Sequence, residues 1–238
     1  NLIDALLKDS VSGIINIGTN PESSRIALDM ANRHEGMYAA VGIHPGDCAP
    51  YDRGRISEFR EFLLAHRDFK AHKIVAIGEI GLDYYRTKDN KDCQIELFEN
   101  MLGLAEKHGL PVIVHSRKAM QDTYDILKRH DVAGSMHCYL GSAEMAKQFI
   151  KLGFFIGIAG PITHTNNKKT RKMAKSIDVN HILVETDSPY LAPEQKRGEV
   201  NTPLNLSCIT GKLAQELEMD EDKVIEITAC NAKKLFKI

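Results

Sequence analysis

Four short apolar runs in this chain each end on a residue able to bind a metal ion. They read Ala76-Ile77-Gly78-Glu79, Val112-Ile113-Val114-His115, Gly134-Ser135-Met136-His137 and Leu183-Val184-Glu185-Thr186-Asp187. Short, nearly continuous apolar runs read as strands buried on both faces, the kind found in parallel sheets. Runs within Gly13–Gly18, Tyr38–Ile43 and Phe154–Ile158 have the same character. Helical patterns alternate with them over Ile56–His66, Asp92–His108, Ala119–Arg129, Ala143–Leu152, Asn167–Ser176, Leu204–Leu217 and Asp220–Phe236. This alternation predicts the α/β class and a TIM-type (β/α)8 barrel. Only seven strands are visible. The first strand is therefore expected upstream of Asn1, with Leu2–Lys8 closing the helix that follows it.

Local signals support the helices. Leu97, Phe98, Met101, Leu102 and Ala105 recur at helical spacing and predict one buried face. Gly109 and Pro111 supply the stop, Ser142 an N-cap, and Gly153 the end of the helix that Ser142 begins. A length of 238 residues, 43% of them hydrophobic, suits one domain over residues 1–238. The net charge of -1 creates no global field for nucleic acid, and a local site does not need one. Cys48, Cys93, Cys138, Cys208 and Cys230 are odd in number and widely spaced, without a C-x-x-C. They read as reduced thiols of a cytoplasmic protein. No run resembles a signal peptide or a membrane span.

In a barrel of this type the C-terminal strand ends line the mouth where chemistry is done. Glu79, His115, His137 and Asp187 on four such ends predict a first coordination shell. Mixed oxygen and nitrogen donors suit one or two divalent ions, Mg, Mn, Zn or Ni, without choosing among them. Each residue also has a plainer reading. Glu79 fits a buried salt bridge, His115 and His137 fit hydrogen-bonded core positions, and Asp187 fits an Asx-turn. Asp187 is held at a sharp exit by Pro189, where it is able to take a proton from a metal-bound water. Asp187 and Glu79 are accordingly the catalytic candidates. His44, in Gly42-Ile43-His44-Pro45, either faces substrate or lines the mouth structurally. His164 reads as structural, and the run Lys168, Lys169, Arg171, Lys172, Lys175 as a solvated helix face. Jointly these residues point to a metal-dependent hydrolase.

The chain resembles the TatD family of metal-dependent deoxyribonucleases, within the amidohydrolase-like TIM barrels. The matching strings are Val41-Gly42-Ile43-His44-Pro45, Gly78-Glu79-Ile80-Gly81-Leu82-Asp83-Tyr84-Tyr85, Pro111 through Arg117, Met136-His137-Cys138-Tyr139 and Glu185 through Leu191, in the family's order. The resemblance implies phosphodiester hydrolysis, of 3′-5′ exonuclease type on DNA, by a metal-activated water. By the same resemblance Glu79 contacts or bridges the metals, His115 and His137 ligate, and Asp187 binds metal and handles the proton. Arg197 and Asn201 match substrate-side positions. Three departures stand out. The family's first-strand His-x-His occurs nowhere here; Glu199 stands where the family carries a lysine; and Tyr139-Leu140 replaces the usual Phe-Ser. Two other functions remain open: hydrolysis of esters or amides, aminoacyl-ester editing included, and a truncated, metal-poor binding protein.

Overall fold

The computed structural model describes residues 3, 6, 7, 11–48, 53–66, 68–86 and 89–238. It divides into two compact units, 1–134 and 135–238. The expected helix over Leu2–Lys8 lies largely outside the described residues; Ile3, Leu6 and Leu7 are helical.

The first unit holds strands β1 (Ile14–Ile17), β2 (Met37–Val41), β3 (Ile74–Asp83) and β4 (Val112–Arg117). They pair in parallel in chain order, with Ile14 opposite Met37, Ala39 opposite Ile74 and Gly81 opposite His115. Ala39, Ala40, Val41, Ala76, Ile77, Ile80, Leu82, Val112 and Val114 are all buried, as parallel strands covered on both faces require. Helices α1 (Pro21–Arg33), α2 (Arg53–Ala65), α3 (Lys91–His108) and α4 (Met120–Leu127) supply the cover. On α3, Leu97, Phe98, Met101, Leu102 and Ala105 are buried and Gly109 caps the helix in the left-handed conformation, both as predicted. The periodic pattern did not reveal α1, although its start carries strong local chemistry. Asn20 caps it through the backbone of Ser23, Ser23 returns the bond, and Pro21 opens the first turn.

β3 and β4 run further than the apolar pattern indicated. Glu79 is not the end of its strand, because β3 continues to Asp83. Pairing with β4 steps from Ile77 opposite Val112 to Ile80 opposite Val114, so β3 carries one extra residue where Glu79 lies. A bulge of this kind re-aims a side chain without ending the strand. It relies on glycine: Gly81 has φ +136°, and a Cβ there would run into the His115 carbonyl.

The second unit holds β6 (Phe154–Ile158), paired in parallel with β7 (Ile182–Val184), and helices α5 (Ala143–Lys151), α6 (Lys168–Ala174), α7 (Leu206–Leu217) and α8 (Glu221–Phe236). The short strand β5 (Gly134–Met136) opens at the boundary. Ser142 caps α5 by accepting from the Met145 N–H, and Gly153 follows its end with φ +88°, both as predicted. No described helix is long and apolar enough to cross a membrane.

The cysteines depart from expectation. Cys48 and Cys93 form a disulfide with Cα atoms 6.4 Å apart, while Cys138, Cys208 and Cys230 remain thiols. The odd count concealed one pair because the partners are 45 residues apart, on a loop and a helix that only the fold brings together. Thiol titration of the denatured, unreduced chain should find three reactive groups, rising to five after reduction. Replacing both cysteines by serine should lower stability by about 4 kcal/mol on chain-entropy grounds, read as a shift in the urea midpoint.

Candidate metal centre

In the first unit, β2, β3 and β4 deliver His44, Glu79 and His115 to one place. Their ligand atoms all lie within 4.8 Å of one another. Glu79 Oε1 is 2.9 Å from His115 Nδ1 and 3.8 Å from His44 Nε2. The two imidazoles meet edge-on, with centroids 4.6 Å apart.

Asp83 decides what His115 offers. Its Oδ1 accepts the backbone N–H groups of Tyr85 and Arg86, each at 2.9 Å, and its Oδ2 lies 3.2 Å from His115 Nε2. Burial alone would raise the Asp83 pKa, but the N–H donors of Arg86 and Tyr85 and the nearby His115 bring it below the ordinary value. The group is thus ionised at neutral pH, and the stability it adds is given up only in acid, as pH falls through its lowered pKa. With its proton on Nε2, toward Asp83, His115 leaves a lone pair on Nδ1. That lone pair faces the Glu79 carboxylate at 2.9 Å. Two acceptors at that distance need a cation between them: either a proton, making His115 an imidazolium, or a metal ion. Oxygen and nitrogen ligands of one divalent ion stand about this far apart, so the residues fit a metal.

His44 plays a different part. It caps the short 3-10 turn Pro45–Asp47, and its Nδ1 accepts the Gly46 N–H at 2.9 Å. Burial lowers its pKa, against the opposing pull of Glu79. A neutral imidazole that accepts at Nδ1 carries its hydrogen on Nε2. While the Gly46 bond stands, His44 presents an N–H donor beside Glu79; with that bond given up, it could join Glu79 and His115 as a third ligand.

The second unit builds a similar arrangement around His137. Its Nδ1 lies 2.9 Å from Glu185 Oε2 and its Nε2 lies 3.2 Å from Asp187 Oδ1. The Cys138 N–H donates to Glu185 Oε1. Gly157 makes the room, since a Cβ there would stand 2.5 Å from Glu185 Oε1. Asp187 has φ +58°, a left-handed conformation that costs an aspartate less than most residues. The Asx-turn alternative is not what forms, because the carboxylate goes to His137 while the Tyr190 N–H bonds the Asp187 carbonyl.

Two predicted substrate-side residues lie elsewhere in the chemistry. Asn201 is 2% exposed, and its Nδ2 donates to the carbonyls of Thr186 and Tyr190. It braces the loop that carries Asp187, with no amide hydrogen left for a substrate. Arg197 is exposed and paired with Glu194, while Lys196 pairs with Glu199, so the local cations are neutralised. His164 is structural, as expected, and bonds the Ala192 carbonyl. Asp83 and Glu185 were missed as functional residues. The only signal was a second carboxylate four residues after Glu79 and one two residues before Asp187.

The profile of the TatD related DNase family matches residues 1–237. The chain belongs to the TatD family. The Bacillus subtilis metal-dependent hydrolase YabD is 37% identical over 240 residues, covering 100% of this chain and 92% of that protein. The crystal structure of the Escherichia coli TatD homologue YjjV superposes with a TM-score of 0.89 at 30% identity, over 96% of this chain and 87% of that one. A TatD family hydrolase from Entamoeba histolytica shows the same fold, with a TM-score of 0.84 at 22% identity over 98% and 89% of the two chains. The alternation of strands and helices is thus that of the TIM-type barrel class, and the chain is a metal-dependent hydrolase of the TatD family.

The Asp83–His115 pairing generates a test. Asp83→Asn keeps an oxygen for the Tyr85 and Arg86 N–H groups but turns a donor toward His115, moving the imidazole proton onto the ligand atom Nδ1. Affinity for Zn²⁺ or Mn²⁺, measured by calorimetry, should fall about 10–100-fold with the circular dichroism spectrum unchanged.

Proposed function

We propose that this TatD-family chain hydrolyses phosphodiester bonds, with DNA as substrate. The observation that carries the reading is the Glu79–His115 pair, two acceptors 2.9 Å apart that call for a cation, with the His44 N–H beside them. When bound there, a divalent ion acidifies a coordinated water and neutralises charge on phosphoryl oxygens.

The chain's own residues supply the rest. Glu79 and His115 would hold the ion, and Asp83 at Nε2 would keep the His115 proton off the ligand atom. His44 donates its Nε2–H to a non-bridging oxygen, a neutral donor that suits an anionic group without trapping it. In the second unit, Asp187 offers a carboxylate able to accept a proton, and it faces His137, whose other ring nitrogen faces Glu185. The name of the family, TatD related DNase, agrees with this substrate class.

The test is a substrate panel of single-stranded DNA, small phosphodiesters, esters and amides, run on the reconstituted protein. Cleavage of DNA and small phosphodiesters is expected. Turnover confined to esters or amides would replace this reading with a carbonyl hydrolase. Glu79→Ala and Asp187→Ala should each reduce turnover by about 10²–10⁴-fold with the melting transition retained.

A further inference from the structure

We infer that Tyr85, Arg117 and Lys118 form a nucleotide subsite, an exposed ring for one base with two cations for the phosphates beside it. The inference rests on the phosphodiesterase reading above and describes how its substrate is held.

The subsite grows from the strands that carry the metal ligands. In the register of β3 and β4, Gly81 lies opposite His115 and Asp83 opposite Arg117. Tyr85 is two residues past Asp83, and its N–H is pinned to Asp83 Oδ1 at 2.9 Å, so the ring starts from a fixed point. Tyr85 is nevertheless 51% exposed. The Arg117 guanidinium lies 4.1 Å from its centroid and the Lys118 ammonium 5.3 Å from it. Both side chains belong to exposed residues.

Two features separate this cluster from an ordinary surface cation–π pair. First, two like charges share one ring, and neither forms an ion pair with any carboxylate among the described residues. Second, Lys118 has φ +53°, a left-handed conformation uncommon outside glycine, directly after Arg117. An exposed aromatic side chain with cations beside it is what proteins use to hold single-stranded nucleic acid, with bases stacked and phosphates paired. An uncharged ester or amide has no use for the two cations.

The test uses anisotropy of a labelled oligothymidylate with cleavage-resistant phosphorothioate linkages, against an abasic oligonucleotide of the same length, on the metal-loaded chain. Tyr85→Ala should weaken oligothymidylate binding about 10-fold or more and leave the abasic strand unaffected, while Tyr85→Phe stays near the wild type. Arg117→Gln should weaken both strands and reduce the slope of log affinity against log salt by about 1. Equal affinity of the wild type for both strands, or a Tyr85→Ala variant that binds like the wild type, overturns the subsite. The two readings fail separately. Tyr85-dependent binding without cleavage of any unmodified phosphodiester keeps the subsite and removes the phosphodiesterase. Cleavage with no effect of Tyr85→Ala on binding does the reverse.

Discussion

A neutral imidazole has one proton to give, and this chain sets each of two imidazoles between two carboxylates. His115 has Glu79 at Nδ1 and Asp83 at Nε2; His137 has Glu185 at Nδ1 and Asp187 at Nε2. One carboxylate of each pair receives the proton and the other confronts a lone pair. Left so, the second contact is repulsive in a partly buried place where water screens little. A positive charge removes the conflict. A proton that makes the ring an imidazolium supplies it in either unit, and in the first unit Glu79 and His115, with His44 beside them, could also hold a metal ion.

Much of the surrounding fold serves to keep that conflict in place. The extra residue in β3 turns Glu79 toward His115 while letting the strand run on to Asp83. Gln94 on α3 grips Asp83 from behind, accepting its N–H at 2.7 Å and donating to its carbonyl at 3.1 Å. Asn201 performs a comparable service for Asp187 by holding the backbone of its loop. These are backbone clamps, and they fix the carboxylates more firmly than side-chain packing alone would.

The strands and the ligand types were legible in the sequence because both depend on local pattern. An apolar run followed by histidine is visible without knowing what lies opposite. The buried stripe on α3 and its glycine stop were legible for the same reason. What the sequence hid depends on partners distant along the chain. The role of Asp83 exists only because β4 places His115 beside it, 32 residues later. Glu185 needs His137, 48 residues earlier. Glu79 was read as a strand end because glycines flank it, whereas those glycines accommodate a bulge. Asn201 looked like a substrate contact because its burial and its backbone partners are invisible in one dimension.

The Cys48–Cys93 bond joins two supports of this arrangement. Cys48 closes the short turn that begins at His44, and Cys93 immediately precedes Gln94, the residue that grips Asp83. The chain between them becomes a covalent ring. A protease that nicks the backbone anywhere inside that ring leaves the fragment bearing His44 tethered to the fragment bearing His115, so a single cut there cannot separate the two histidines until the bridge is reduced.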